Sequence, residues 1–279
     1  MKHLARRIPL LQEFLETDGW RSVRHRVALL LDRRTNSHFT GFYRLPTQFE
    51  SLMGPVLTFL KPENLGRPLK ITVVGCSNGA EAYSVASVLS RRDTAVEFRI
   101  LAFDINQDII EKARAGAYLG MQEVLNNKTI AKDFIDATFD IQGESYLVKH
   151  EIKSKVSFSL GDILDTRIAE ANGESDIVFA QNFLFHLSPA AASRAFDNIC
   201  ALLAGKAALF VDGMDLPLRQ NVTKKHGLAP LDYKIGEIHN EARWARAVGW
   251  PYHYWGLEPL SMTRQDWRQR YATIFLKGL

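Results

Sequence analysis

The sequence has few cysteines, no long apolar run and almost no charge imbalance. Only Cys76 and Cys200 occur among its 279 residues, too few for a disulfide framework or a cysteine-ligated zinc site, so we expect a reducing compartment. The longest apolar run near the N-terminus, Val27 to Leu31, is far shorter than the roughly 20 residues that a membrane-spanning helix needs. The net charge of +4 is too small to indicate nucleic-acid binding by itself. We expect a soluble, cytoplasmic protein without membrane insertion.

The composition favours a folded chain with a sizeable core. Hydrophobic residues make up 46% of the sequence and aromatic residues 10%, which excludes disorder for most of it. Over residues 1–60, apolar side chains recur at helical spacing, and Pro46 is placed to open the last helix at its first turn. The arginines of this segment form either a solvated helix face or a surface for an acidic partner. We predict an N-terminal helical extension over residues 1–60, followed by a domain over residues 61–279.

From residue 69 onward, predicted strands and helices alternate. The strand segments are apolar runs of the kind expected for strands buried on both faces, at 69–75, 98–105, 176–180 and 207–211. Helical patterns lie between them, at 79–89, 107–115 and 189–203. This alternation is typical of an α/β fold with a parallel, doubly wound sheet. A last strand candidate at 271–276 follows a long polar and aromatic stretch, and it could return antiparallel.

Between the second and third of these strands the pattern changes to alternation with period two. It covers residues 146–160, YLVKHEIKSKVSFSL. Such alternation indicates strands with one buried face, so we predict a small antiparallel β-hairpin grafted on the sheet. This β-subdomain is placed at residues 142–160.

The loop after the first strand combines two glycines with an acid, in the order Gly75-Cys76-Ser77-Asn78-Gly79-Ala80-Glu81. Open α/β sheets bind ligands at this edge. The second strand ends in Asp104, which is placed to accept hydrogen bonds from two ribose hydroxyls. The glycine patterns that cradle phosphates are absent, and Glu81 would repel a phosphate but attract an ammonium or a sulfonium. The residues therefore favour S-adenosylmethionine over NAD or ATP.

Several segments resemble, in the same order, the CheR-type family of chemotaxis receptor glutamate methyltransferases. Residues 75–84, GCSNGAEAYS, are similar to the family's GCSTGEEPYS loop, and residues 176–182, DIVFAQN, to its FDxIFCRNV strand. Residues 102–118 resemble its second strand and the EKARxGxY end of the following helix. Residues 40–44, TGFYR, resemble its TxFFR segment. The resemblance covers about residues 38–215.

This resemblance implies a Rossmann-like class I methyltransferase with a seven-stranded, mostly parallel sheet and S-adenosylmethionine as cofactor. Glu81 and the glycine backbone would hold the methionine end, Asp104 would bind the ribose, and Asp162 would lie near the adenine. Asn182 would lie close to the sulfonium. The cofactor-binding residues that it implies are Gly75, Cys76, Ser77, Gly79, Glu81, Asp104, Ile105, Asp162, Ile163, Asn182 and Phe183.

Some of these residues could instead have a purely structural role. Asp104 and Glu81 could be ordinary acids at helix starts, where the helix dipole favours them. Asp162 could be a simple helix cap. Arg44 would close over the cofactor or contact the substrate if the resemblance holds, but it could also be a surface arginine beside Pro46.

The chain departs from the family at positions that bear on the methyl acceptor. Ala80 replaces the first Glu of the family's Glu-Glu pair. Gln181 replaces the family's Arg before the methyl-site Asn, and His186 replaces the Tyr four residues after that Asn. A carboxylate acceptor is already ionised at neutral pH, whereas an alcohol, phenol or ammonium must lose a proton, and His commonly accepts it. His186 is therefore a candidate base. It could instead orient the substrate or be a core histidine, and proximity alone could suffice.

Residues 214–270 resemble nothing in the chemotaxis enzymes. Their concentration of Trp, Tyr, His and Arg fits a lid over an organic substrate, a structural cap or a dimer contact. Aromatic and basic residues in alternation also occur in proteins that bind single-stranded nucleic acid. The Asn-Pro-Pro-Tyr type motif of base-methylating enzymes is missing, however, so nucleic acid is disfavoured. The sequence leaves the oligomeric state open and contains no metal-ligand pattern.

We therefore expect an S-adenosylmethionine-dependent methyltransferase that methylates an oxygen of a small molecule or a protein side chain, with Arg44 and His186 at the reaction centre. A glutamate methyltransferase acting on chemoreceptors is one alternative. A non-catalytic cofactor-binding sensor or scaffold is another, and a nicotinamide enzyme is a third.

Overall fold

The structure, a computed structural model, covers residues 40–62, 65–91, 96–125, 130–244 and 258–279. The strands of these residues, in chain order, are β1 (Leu69–Val74), β2 (Phe98–Asp104), β3 (Ala117–Leu119), β4 (Phe139–Gln142), β5 (Ser145–Val148), β6 (Val156–Leu160), β7 (Ser175–Gln181), β8 (Leu203–Asp212), β9 (Ala229–Pro230) and β10 (Ile274–Lys277).

The helices surround these strands. In chain order they are α1 (Pro46–Ser51), α2 (Leu57–Leu60), α3 (Ala80–Ser90), α4 (Gln107–Ala115), α5 (Gly120–Leu125), α6 (Lys132–Thr138), α7 (His150–Lys153), α8 (Ile168–Asn172), α9 (Pro189–Ala201), α10 (Leu216–Lys225), α11 (Ile235–Trp244) and α12 (Trp267–Tyr271). A π-helical turn (Leu52–Val56) joins α1 to α2, and a 3-10 turn (Leu184–His186) follows β7.

The main sheet has seven strands in the order β6-β2-β1-β7-β8-β10-β9. The pairs from β6 to β8 are parallel, and β10 is antiparallel to both of its neighbours. The predicted α/β sheet is confirmed, including the antiparallel return of the last strand. The chain order reverses between β1 and β7, so the carboxyl ends of these two strands border the crevice where such sheets bind ligands.

The central strands are buried on both faces, and their side chains alternate between two hydrophobic clusters. On β7, Ile177 and Phe179 belong to the cluster that contains α1 and α3, whereas Val178 and Ala180 belong to the cluster that contains α9 and α10. All four are no more than 2% exposed. Because both faces are buried, these strands are recognisable in the sequence as apolar runs.

Helix α4 begins and ends at the predicted residues because both of its ends are marked in the sequence. The side chain of Asn106 accepts the backbone N–H of Ile109 at 3.2 Å, which caps the first turn. Gly116 ends the helix in the left-handed conformation, at φ 61°.

The helix predicted to begin at Pro46 is confirmed, with Pro46 in its first turn. Residues 1–39 of the predicted N-terminal extension lie outside the described residues. Leu52, Val56 and Leu57 are fully buried and belong to the cluster on one face of the main sheet. The described part of the extension therefore packs against the sheet.

The prediction of a hairpin over residues 142–160 is wrong in its second half. Residues His150–Lys153 form α7, and Val156–Leu160 forms β6, which pairs in parallel with β2 at the edge of the main sheet. On β6, Val156 and Phe158 pack against the hydrophobic core whereas Ser157 is exposed, so its sequence alternates like that of a hairpin strand. The small antiparallel sheet lies upstream, with strand order β3-β5-β4.

Of the aromatic region predicted at 214–270, residues 245–257 lie outside the described residues. The rest includes α10, β9 and α11, and so contributes an edge strand to the main sheet. Trp267 packs against the core, with the guanidinium of Arg268 4.8 Å from its ring centre. Among the described residues, no helix is long and apolar enough to span a membrane, and no group of side chains could hold a metal ion.

Candidate functional site

A cavity of about 650 Å³ opens at the carboxyl ends of β1, β2 and β7. It lies at the reversal of strand order, as the sequence predicts. Of the predicted site residues, all but Gly79 line it: Arg44, Gly75, Cys76, Ser77, Glu81, Asp104, Ile105, Asp162, Ile163, Asn182, Phe183 and His186. Gly79 is the residue before α3 and has a φ of +88°.

The carboxylate of Asp104 holds the loop between β1 and α3. One of its oxygens accepts the backbone N–H of Ser77 at 2.9 Å, and the other accepts that of Asn106 at 3.1 Å. Asp104 thus organises two turns of the cavity wall with hydrogen bonds to a charged acceptor, which are stronger than neutral ones.

Glu81 places a carboxyl group in the cavity wall at the first turn of α3. Burial raises its pKa to about 7, the nearby cation of Arg44 lowers it, and the carboxylate of Asp212 raises it. A carboxyl group in this environment gains from the arrival of a cation, because a cation stabilises its ionised form.

At the opposite end of the loop, Gly75 makes room for Phe183. Gly75 has a φ of +66°, and a Cβ atom on it would lie 2.9 Å from the ring of Phe183. The cavity wall at this point therefore depends on a residue without a side chain.

Asp162, Ile163 and Ile105 also line the cavity. Asp162 accepts the backbone N–H of Leu164 at 2.8 Å and so shapes its own turn, as a cap would. Ile163 is 6% exposed, whereas the side chain of Ile105 is 70% exposed. An apolar surface of this kind suits a flat aromatic ring.

The turn after β7 brings Asn182 and His186 to the cavity. Asn182 has a positive φ of 60°, and its N–H donates to the carbonyl of Asp212 at 3.0 Å. His186 ends the 3-10 turn, with its ring centre 4.0 Å from that of Phe185. The ends of β7 and β8 together therefore set the position of these two side chains.

Sequence reasoning found Arg44 but missed other residues that α1 and the segment before it add to the cavity. Gln48 lines the cavity and donates to the hydroxyl of Thr273 at 2.8 Å, and it accepts from the side-chain amide of Gln181 at 2.6 Å. Tyr43 also lines it, stacked between Phe49 and Phe134. Tyr43 belongs to the TGFYR segment, but no local sequence pattern indicates that Gln48 lines a cavity.

Comparison with known families decides the identity of the domain. The family model described as "CheR methyltransferase, SAM binding domain" matches residues 38–227. The chain belongs to this family. The predicted resemblance is thereby confirmed, and the matched region is a domain that binds S-adenosylmethionine.

The CheR-type chain has relatives among curated proteins. The "Probable biofilm formation methyltransferase WspC" of Pseudomonas aeruginosa is 27% identical over 202 residues, which cover 71% of this chain and 46% of that protein. A "Chemotaxis protein methyltransferase" of Listeria innocua is 24% identical over 217 residues, which cover 76% of each. The chain thus spans about half the length of the WspC relative.

Among solved structures, the magnesium protoporphyrin IX methyltransferase ChlM from Synechocystis PCC 6803, with bound SAM, is 13% identical. The match covers 80% of this chain and 86% of that one, at a TM-score of 0.38.

The cavity of this CheR-type domain fits the family's cofactor. The hydroxyl of Ser77 is buried and has no hydrogen-bond partner among the described residues, so it is available to a ligand or an ordered water. A cation beside Glu81 would favour its ionised form, and S-adenosylmethionine has an ammonium and a sulfonium but no phosphate. The donor and acceptor groups of the cavity therefore match this cofactor.

Proposed function

We propose that the chain is a methyltransferase that moves the methyl group of S-adenosylmethionine to an oxygen atom of a small molecule or a protein side chain. When bound, the cofactor supplies an electrophilic methyl group on a sulfonium. The proposal rests chiefly on one observation: one cavity is lined both by the carboxyl groups of Glu81 and Asp104, here called the first wall, and by Arg44, Gln181 and His186, here called the second wall.

The first wall is proposed to bind the cofactor. Glu81 would pair with the ammonium of its methionine end, and Asp104 would accept hydrogen bonds from the ribose while it holds the loop. Asp162 and the apolar side chains of Ile105 and Ile163 would enclose the adenine. Asn182 would lie near the sulfonium. The remaining members of the proposed set are Gly75, Cys76, Ser77, Gly79 and Phe183.

The second wall is proposed to bind the acceptor. An acceptor hydroxyl must lose a proton as it is methylated, and His186 would take that proton. Arg44 would contact the acceptor or the carboxylate end of the cofactor. Gln181, neutral and fixed by Gln48, makes this wall less positive than the family's arginine would.

Glutamate methylation on chemoreceptors is a second candidate. The Listeria relative is named a chemotaxis protein methyltransferase, and Arg44 lines the cavity as a cation for an acceptor carboxylate. A carboxylate is ionised at neutral pH and needs no base, so His186 would have only an orienting role here. As part of either proposal the protein acts in the cytoplasm, where Cys76 and Cys200, both free thiols, would stay reduced.

The test is to incubate the purified chain with S-adenosylmethionine labelled in its methyl group. Two acceptor pools are offered, a chemoreceptor cytoplasmic fragment and a small-molecule extract. Label in an alkali-stable ether supports hydroxyl methylation, and label released by mild alkali as methanol supports carboxyl methylation. Cofactor binding without transfer to either pool would favour a sensor or scaffold and contradict both proposals.

A further inference from the structure

The hydroxyl of Tyr118 reaches the cofactor loop from outside the cavity. Tyr118 lies on β3 of the small antiparallel sheet, and its hydroxyl donates to the backbone carbonyl of Asn78 at 2.7 Å. The side chain is buried, with 1% of the residue exposed. Burial raises the pKa of the phenol far above its usual value, so the hydroxyl remains a donor over the whole physiological range.

The loop segment that it holds is strained. Ser77 has a φ of +48°, which is uncommon for a residue with a side chain, and its backbone N–H donates to Asp104 at 2.9 Å. Such conformations persist where the surroundings fix them from more than one side. Here the carboxylate of Asp104 accepts the N–H of Ser77, and the hydroxyl of Tyr118 donates to the carbonyl of Asn78.

We propose that Tyr118 is a positioning residue for the cofactor site. Its hydroxyl keeps the Asn78 carbonyl turned away from the cavity side of the loop, so that Ser77 stays in the conformation that places its hydroxyl in the cavity wall. The small sheet thereby supports the cofactor loop. This inference rests on the proposed cofactor site, because it assigns a support to one of that site's walls.

Tyr83 provides a matched control. It is also fully buried, and its hydroxyl donates to a backbone carbonyl, that of Ala113 in the last turn of α4, at 2.8 Å. Removal of either hydroxyl thus deletes one hydrogen bond from a buried tyrosine to a backbone carbonyl. Only the bond from Tyr118 ends on the cofactor loop.

The experiment compares Tyr118→Phe, Tyr83→Phe and Asp104→Ala in the full chain. Calorimetry measures the Kd for S-adenosylhomocysteine, and thermal unfolding measures Tm. Tyr118→Phe should raise Kd at least fivefold, whereas Tyr83→Phe should leave it within twofold at a similar loss of Tm. Amide hydrogen exchange of residues 75–80 should become faster in Tyr118→Phe and stay unchanged in Tyr83→Phe.

Three outcomes overturn the inference. If Tyr118→Phe has an unchanged Kd while Asp104→Ala binds weakly, Tyr118 has no positioning role and the proposed cofactor site stands. If both tyrosine variants lose affinity equally, the loss comes from lower overall stability and not from the contact to the cofactor loop. If the unmodified chain does not bind S-adenosylhomocysteine, the proposed site itself fails.

Discussion

Gln181 donates from its side-chain amide to the Oε1 atom of Gln48 at 2.6 Å, and both residues line the same cavity. Gln48 in turn donates to the hydroxyl of Thr273 at 2.8 Å. All three are at most 8% exposed. The proposed acceptor wall is therefore supported by a buried chain of neutral groups, which joins α1, the end of β7 and the residue before β10.

The substitution Gln48→Ala should break this chain at its centre. It leaves the amide of Gln181 and the hydroxyl of Thr273 without their partner, which costs about 1–3 kcal/mol of unfolding free energy. Urea denaturation measures the loss. Glu50→Ala on the same helix is the control; it removes only exposed hydrogen bonds, to Tyr233 and Lys234, and should cost less. Equal costs in the two variants would mean that the buried chain of hydrogen bonds contributes no more than an exposed ion pair.

Asp104 should be essential for cofactor affinity. Asp104→Ala removes the acceptor for the backbone N–H groups of Ser77 and Asn106 as well as the proposed contact to the ribose. We expect a Kd for S-adenosylhomocysteine at least about tenfold higher, which is about 1.4 kcal/mol of binding free energy. Calorimetry checks this, with the exposed Asp108→Ala as control. Unchanged affinity would exclude Asp104 from the site.

Cofactor affinity should depend on pH through Glu81. Because burial raises the pKa of its carboxyl group to about 7, Glu81 is largely neutral at pH 6 and ionised at pH 8 in the empty site. A bound ammonium favours the ionised form, so affinity rises with pH up to about 7 and then levels off. The same shift makes the unliganded protein less stable as pH rises from about 4.5 to 7, because the folded state then binds the proton more tightly.

The measurement is the Kd for S-adenosylhomocysteine between pH 6 and pH 8. We expect up to about a tenfold loss of affinity at pH 6, corresponding to one pKa unit of linkage. Glu81→Gln should bind more weakly at pH 8 and lose this dependence. A pH profile that is the same in both proteins would contradict the role of Glu81.

The elements that could be predicted are those whose sequences carry their own signals. Helix α4 has a cap at Asn106 and a glycine at its end, and the central strands, buried on both faces, are apolar throughout. The loop residues of the site follow directly from the ends of these strands. Topology alone therefore places Glu81, Asp104 and Asn182 together.

The elements that could not be predicted depend on contacts distant in sequence. Gln48 is 133 residues from Gln181 and 225 from Thr273, and its local pattern is that of an ordinary helix residue. Strand β6 has the pattern of a hairpin strand, because one covered face gives the same alternation in either setting. In both cases the missing information is the identity of the neighbouring element.

A substitution of His186 distinguishes a hydroxyl acceptor from a carboxylate acceptor. If the acceptor is a hydroxyl, His186→Phe should lower kcat by about a hundredfold or more, because general-base catalysis contributes that much. The Kd for S-adenosylhomocysteine should stay within twofold. His150→Phe, at the exposed start of α7, is the control. Full activity of His186→Phe would rule out a role as base and favour a carboxylate acceptor.

Gly213, directly after β8, should not tolerate a side chain. It has a φ of +67°, and a Cβ atom on it would lie 2.7 Å from the Cα atom of Asn182, which lines the cavity. Gly213→Ala therefore has both a strained backbone and a clash with backbone atoms that cannot rotate away, and we expect a loss of about 2 kcal/mol or more. Gly205→Ala within β8 is the matched control, since a Cβ atom there meets nothing within 4 Å. Gly213→Ala should lower the free energy of unfolding measured by urea denaturation and raise the Kd for S-adenosylhomocysteine. Gly205→Ala should change neither quantity. If Gly213→Ala were as stable and bound as tightly as the unmodified chain, the close approach of the turns after β7 and β8 would not be what holds Asn182 in place.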